Sequence, residues 1–236
     1  MLVLASNSPR RKQLLALGGW DFTVVAPQVD ERLFPGELPQ IYVRRLAESK
    51  ARAARQLLAG DVPAMTGLIQ GYSQETIILA ADTTVVHQAA PDQSYEILGK
   101  PADAAEAEAM LRQLRGRVHQ VFTGLVVLRA SEAELLSEVV ATDVWMREYS
   151  DEEMLAYIAT ADPLDKAGAY AIQHATFRPV QNLQGCYANV MGLPVCHAAR
   201  LLAQFGCPPA SDIVQGCQQA LEFTCPVFLK AMAEVG

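Results

Sequence analysis

Apolar and polar positions follow a few distinct patterns along this chain, and each pattern predicts an element. Apolar runs at Leu2–Ala5 and Phe22–Ala26, and a near-continuous one within Thr76–His87 that ends in an acid and two hydroxyls, predict buried strands. Val118–Ala130 and Glu138–Tyr149, joined by a short segment around Ser131–Leu135, predict an antiparallel pair of long strands. Shorter strands are expected at Ala169–Gln173 and Leu183–Val190. A helical stripe of Ile41, Leu46, Ala47, Ala51, Ala54, Leu57 and Leu58 predicts a helix over Pro39–Leu58, stopped by Gly60.

Capping signals add further helices. Ser8 stands at an N-cap position with Pro9 behind it, so a helix runs to Leu17 and Gly18 stops it. Asp103 and Glu106 form a D-x-x-E box before Ala104–Arg115, which Gly116 ends. Ser150 with Glu153 opens a helix through Ala159, and Val195–Phe205 forms another, stopped at Gly206. Residues 60–75 read as a loop or insertion, and residues 207–236 as a C-terminal helical appendage. The expected fold class is α/β: a mixed sheet flanked by helices, in one domain of two lobes.

Composition narrows the function. An apolar fraction of 51% with 19% charged residues suits a folded protein with a sizeable core. A net charge of −7 and a pI near 5.1 argue against nucleic acid as a partner. No stretch approaches the roughly 20 apolar residues of a membrane span, and the first residues lack the order of charges of a signal peptide. Five cysteines without a C-x-x-C pair read as free thiols in a reducing compartment, so a cytoplasmic location is expected.

Against that acidic background the start of the first helix is basic. Ser6, Ser8, Arg10, Arg11 and Lys12 gather where a helix offers unpaired N–H groups and the positive end of its dipole. Three cations there repel the dipole and one another unless an anion with several charges sits among them, which points to a polyphosphate. The plainer reading is a solvated basic face. Neither G-x-x-x-x-G-K-[ST] nor G-x-G-x-x-G occurs, so such a site uses hydroxyls and guanidinium groups more than glycines. Asp30 and Glu31 lie in a loop after the second strand, and Asp82, Thr83 and Thr84 follow an apolar strand, where α/β sheets bind ligands. Lys50 lies about 200° around its helix from Glu48, facing solvent or a site.

Seven patches in order resemble the Maf family of nucleoside triphosphate pyrophosphatases. They are Leu4-Ala-Ser6-Asn-Ser8-Pro-Arg10-Arg11, Val29-Asp30-Glu31, Ala47-Glu-Ser-Lys50-Ala, Ala81-Asp82-Thr83, Gly99-Lys100-Pro, Asp165-Lys166-Ala-Gly168 through Ile172-Gln173, and Gly192-Leu-Pro. The resemblance spans about residues 2–205 and implies a fold related to the inosine-triphosphate pyrophosphatases (Maf/Ham1), with a central cleft between two lobes. On this basis residues 1–206 form the pyrophosphatase domain. The implied reaction is NTP + H2O → NMP + PPi with a divalent cation, Mg²⁺ or Mn²⁺.

The resemblance also implies roles for individual residues. Ser8, Arg10, Arg11 and Lys12 hold phosphates, with Ser6, Thr83 and Lys166 completing the substrate-binding set. Glu31 and Asp82 bind metal or activate water, Lys50 and Lys100 neutralise phosphate charge, and Gln173 reads the base. Ser8-Pro-Arg10-Arg11-Lys12 and Gln173 resemble the branch acting on dTTP and UTP. Alternatives are 7-methyl-GTP or other modified nucleotides as substrates, or a non-catalytic regulator linked to septum formation. A homodimer is compatible with the resemblance. His174 departs from the family's usual glycine after this glutamine.

Overall fold

The computed structural model describes residues 1–60, 72–88, 95–131 and 135–233. Its strands are β1 (Leu2–Leu4), β2 (Phe22–Val24), β3 (Ile77–His87), β4 (Glu96–Leu98), β5 (Val118–Arg129), β6 (Leu135–Met146) and β7 (Val180–Gln184). They form one mixed sheet in the order β2-β1-β3-β5-β6-β7, with β4 also paired to β3. The pairs of β1 with β2 and β3 are parallel, and all the others are antiparallel. The helices are α1 (Pro9–Ala16), α2 (Pro39–Leu58), α3 (Ala104–Leu114), α4 (Asp151–Ile158), α5 (Tyr187–Val190), α6 (Val195–Gln204), α7 (Ile213–Leu221) and α8 (Phe228–Ala233).

The two-residue period of β3 assigns each helix to a face. Ile77, Leu79 and Ala81 pack with Leu14 and Leu15 of α1 and with Leu201 and Leu202 of α6. Ile78 and Ala80 point the other way, onto Ala47, Ala51 and Ala54 of α2. Further along, Val85 joins Met110 and Leu114 of α3 and Met154 and Tyr157 of α4. The same alternation turns Asp82 toward α2 and Thr83 toward α1.

Helix α2 comes very close to the sheet. Its buried face combines Val43 and Leu46 with the small Ala47, Ala51 and Ala54, and it crosses β5 at Gly124, the register partner of Asp82. A Cβ at Gly124 would lie 2.5 Å from the carbonyl oxygen of Val43, so any side chain there would push the helix outward.

Residues 207–233 are tied into the core. Trp20 Nε1 donates to the carbonyls of Cys207 (3.2 Å) and Pro208 (3.0 Å). Leu17 O and Gly18 O, at the end of α1, accept from Ser211 Oγ and Ala210 N. Ile213 and Cys217 of α7 join the cluster around α1 and α6. All five cysteines are free. Among the described residues no helix is long and apolar enough to cross a membrane.

Several expected elements differ. The strand anticipated over Ala169–Gln173 does not form. Two 3-10 turns, Asp162–Asp165 and Ala167–Ala169, precede it, and Gly168 and Ala169 both take left-handed φ, which no ladder accommodates. The strand expected at Leu183–Val190 is replaced by β7, a turn at Gly185 (φ +135°) and α5. Burial of Asn189, whose Nδ2 donates to Val121 O and Thr142 Oγ1, fixes that helical turn. β6 starts earlier than expected, at Leu135, and ends at Met146, beyond which Tyr149 leaves the sheet to donate to Leu111 O of α3 (2.6 Å). Ile41, assigned to the apolar stripe of α2, is 52% exposed. Glu106 receives Ala102 N instead of closing a reciprocal box with Asp103. The left-handed stop of α1 falls at Gly19, one residue beyond Gly18. Most of the loop expected at 60–75, and part of the 131–135 connection, lie outside the described residues.

Candidate active site

The start of α1, the end of the β3 core and the Lys166–Gln173 segment surround a cavity of about 660 Å³. Five cations (Arg10, Arg11, Lys50, Lys100, Lys166) and three carboxylates (Glu31, Asp82, Asp165) line it. Ser6, Ser8, Thr83 and Gln173 line it as well, so the cavity brings together eleven of the twelve expected site residues. Lys12 is the exception. Its ammonium makes an exposed hydrogen bond of 2.9 Å to Oδ1 of Asn7, which does line the cavity.

The loop before α1 is held by its own hydroxyls. Ser6 Oγ accepts from Ser8 N (3.2 Å), and Ser8 Oγ caps the helix by accepting from Arg11 N (3.4 Å). Arg11 then turns inward. Its Nε donates to Gly192 O (2.8 Å), Nη2 to Thr83 Oγ1 (3.1 Å) and Nη1 to Ser6 Oγ (3.3 Å). Thr83 in turn bonds Thr123 Oγ1 at 2.9 Å, and Thr123 donates to Asn189 O. Burial lowers the pKa of Arg11, with the nearby Asp82 charge opposing that shift. Gly192, at φ +107°, has a backbone that favours glycine, and a Cβ there would lie against Arg11 Nε and Thr83 Oγ1 at 3.4 Å. Arg11 is thus a fixed internal charge. Arg10 and Lys100 line the cavity without an ion pair to any described residue.

Opposite this loop, Lys50 answers the question left by its helix position: it faces the site. Its Nζ lies 2.5 Å from Asp82 Oδ1 and 2.7 Å from Glu31 Oε1. Asp82 is buried, and burial pushes its carboxyl pKa up against the opposing pull of Lys50 and Arg11. Burial pushes Glu31 up too. There the Lys50 hydrogen bond and charge, with Lys100 and Arg11 beyond, win and hold it below the ordinary value. Two carboxylates therefore converge on one cationic position. The arrangement suits a hard divalent cation, which takes one or two carboxylates and completes its shell with water and phosphate oxygens.

Lys166 is buried, and its three protons go to Asp162 O (2.5 Å), Asp162 Oδ1 (2.8 Å) and Asp165 Oδ1 (2.6 Å). This network supports the two 3-10 turns and sends Tyr170, Ala171, Ile172 and Gln173 along the cavity wall. Tyr170 lines the wall with its hydroxyl bonded to His119 Nε2 at 2.7 Å. His174 stays out of the cavity lining. Its Nδ1 accepts from Phe177 N at 2.9 Å, and its ring meets Tyr157 edge-on. Sequence reasoning missed Tyr42, Tyr170 and Asp165 as wall residues. The last two stood inside a quoted patch, whereas Tyr42 gave no signal beyond its helix position.

Fold and cavity together define the class: an α/β protein with a charged cavity suited to a polyanion. The chain belongs to the Maf family, since the family model described as Maf-like protein matches residues 1–205. It is similar to the dTTP/UTP pyrophosphatase of Citrifermentans bemidjiense, with 42% identity over 205 residues, covering 87% of this chain and 95% of the relative. The dTTP/UTP pyrophosphatase of Chlorobium phaeovibrioides is 44% identical over 195 residues, covering 82% and 91%. That of Anaeromyxobacter dehalogenans (strain 2CP-C) is 44% identical over 209 residues, covering 88% and 95%.

Proposed function

We propose that this protein is a nucleoside triphosphate pyrophosphatase that hydrolyses dTTP and UTP to the monophosphate and pyrophosphate. The observation that carries the reading is the convergence of Glu31 and Asp82 on one cationic position, inside a cavity otherwise rich in cations. The relatives' names supply the substrate class. In this reading the cavity is the floor of a cleft between two lobes, residues 1–206 do the chemistry, residues 207–236 are an appendage, and the protein works in the cytoplasm.

Each group then has a task. Arg10 and Lys100, without an ion pair among the described residues, receive the phosphate chain together with the α1 N–H groups and Ser8. Arg11 stays on Gly192, Thr83 and Ser6 and contributes a fixed positive field. Lys166 acts through the loop it supports. Asp82 is held rigidly by β3 at the cavity, placed to orient and accept a proton from an attacking water. Glu31 remains ionised beside it. A divalent cation (Mg²⁺ or Mn²⁺) bound by Glu31 and Asp82 would supply charge neutralisation at the phosphates. Little covalent chemistry is asked of the protein, and positioning with electrostatics suffices.

Gln173 offers a neutral amide that can both donate to and accept from the carbonyl and N–H edge of a pyrimidine. The test is pyrophosphate release from dTTP, UTP, CTP, 7-methyl-GTP, dITP and ATP with Mg²⁺ or Mn²⁺, for the wild type and Gln173→Glu. The reading expects turnover of dTTP and UTP, and a shift of kcat/KM toward the cationic 7-methyl-GTP in the variant. An unshifted ratio removes Gln173 from base reading, and a wild type inactive on every triphosphate overturns the function.

A further inference from the structure

Glu31 occupies an awkward place for a working carboxylate. It lies in the irregular connection between β2 and α2, and its side chain is half exposed. The neighbouring Asp30–Arg32 pair is exposed on both sides and cannot anchor it. The anchorage comes from α2. Tyr42 donates its hydroxyl to Glu31 O at 2.9 Å, and Arg45 Nη2 donates to Arg32 O, also at 2.9 Å. The same guanidinium grips Glu37 with both arms, at 2.6 and 2.7 Å, and the Glu37 carboxylate is almost completely buried. Glu37 also accepts from Phe34 N (3.2 Å), closing the turn through Gly36, and the Phe34 ring lies against the Arg45 guanidinium at 4.1 Å.

We propose that Arg45 is a positioning residue for the reaction: its grip on Glu37 and Arg32 O holds the loop that presents the Glu31 carboxylate. The inference rests on the reading of Glu31 as a working carboxylate of a pyrophosphatase. Its physical content is that α2 carries Lys50 to Glu31 Oε1 and also fixes, through Tyr42 and Arg45, the carbonyls of Glu31 and Arg32. Carboxylate and ammonium are thus referenced to the same rigid helix. A planar guanidinium reaches two carboxylate oxygens and a carbonyl at once, which a lysine ammonium cannot do with the same geometry.

The experiment is a double-mutant cycle on the full chain: wild type, Arg45→Met, Glu31→Gln and the pair together, with kcat, nucleotide KM and metal half-saturation measured for each. Arg45→Met is expected to lower kcat by about 10- to 100-fold, the scale of a displaced catalytic group, and to leave nucleotide KM within about twofold. The metal requirement rises, and Arg45→Lys recovers only part of the loss. In the Glu31→Gln background the Arg45 change adds less than about twofold, because its effect passes through Glu31. An equal loss in both backgrounds, or an unchanged kcat in Arg45→Met, overturns the proposal.

Hydrogen exchange at the amides of residues 30–38 supplies a readout without turnover, expected to quicken at least about tenfold in Arg45→Met. Unchanged exchange there also overturns it. Should Arg45→Met fail to fold, Glu37→Gln loosens the same grip and is held to the same outcomes. A wild type that hydrolyses no triphosphate refutes the functional reading, while the exchange result still decides whether Arg45 holds the loop.

Discussion

Two partly buried ionic clusters in this protein use similar parts in opposite proportions. At the cavity one ammonium, Lys50, serves two carboxylates, Glu31 and Asp82. Beneath α6 one carboxylate, Glu138 of β6, serves two donors: His197 Nδ1 at 2.7 Å and Arg200 Nη2 at 2.6 Å. Arg200 Nε goes on to the carbonyl of Ala231 in α8, so that second cluster ties the sheet to the C-terminal helices. It is complete as it stands. The cavity cluster has an excess of negative charge and an opening, so it gains from a further cation and from the phosphates that accompany one. The lesson is that burial of charge alone does not mark a site, whereas an unbalanced and accessible cluster does.

The comparison can be broken most forcefully at Asp82. Asp82→Asn should lower kcat by about a thousandfold or more, on the scale seen when a general base and its electrostatic role are both removed. Burial disfavours the charged form of Asp82, so the variant should melt no lower than the wild type. Retained turnover would take the base role from Asp82.

Glu138→Gln should do the reverse. Stability falls by about 2 kcal/mol, because an arginine loses its charged partner in a half-buried place. That corresponds to a Tm lower by about 4–8 °C in a chain of this size. Activity per folded molecule stays close to the wild type. A large loss of kcat with Tm unchanged would mean that the second cluster is not merely structural.

The subtlest difference lies in titration. In the metal-free protein, carbon-13 chemical shifts should place the Asp82 midpoint above the ordinary 3.8 and the Glu138 midpoint below the ordinary 4.5. Burial raises both, but His197 and Arg200 outweigh it at Glu138. The linkage signs follow. The lowered Glu138 contributes stability above its unfolded pKa and loses it as pH falls through the folded value. The raised Asp82 contributes at low pH and loses that contribution as pH rises through its own folded value. Midpoints displaced in the same direction would erase the distinction between the clusters.

Much of this architecture was legible in the sequence where local signals and burial agree. Pro39–Leu58, with its small apolar stripe, forms over the expected residues, and Ser8 and Ser150 cap as their neighbours suggest. The segment from Asp162 to Val190 was misread because its conformation depends on distant partners. Lys166 and the left-handed Gly168–Ala169 pair shape one half of it, and Asn189 docking on β5 and β6 shapes the other. The order of the seven patches pointed to the cavity residues, yet which cations are occupied internally was hidden. Arg10 and Arg11 are adjacent and chemically identical, and only the fold sends Arg11 to Gly192 O. Lys12 was grouped with them by its place at the helix start and by the resemblance, yet it does not line the cavity and reaches it only through Asn7. The grip of Arg45 on Glu37 was likewise hidden, since it bridges a helix and an irregular loop.

Gly124 carries one more consequence. It does not line the cavity, yet the backbone of α2 rests on it beside Asp82. A saturating mutational scan scored by growth or turnover would therefore flag a position that a map of ligand contacts leaves blank. Even alanine there acts as a wedge under the helix that bears Lys50, Tyr42 and Arg45 together. The closeness of α2 to the strand that bears Asp82 is thus permitted by a hydrogen atom standing where every other amino acid has carbon.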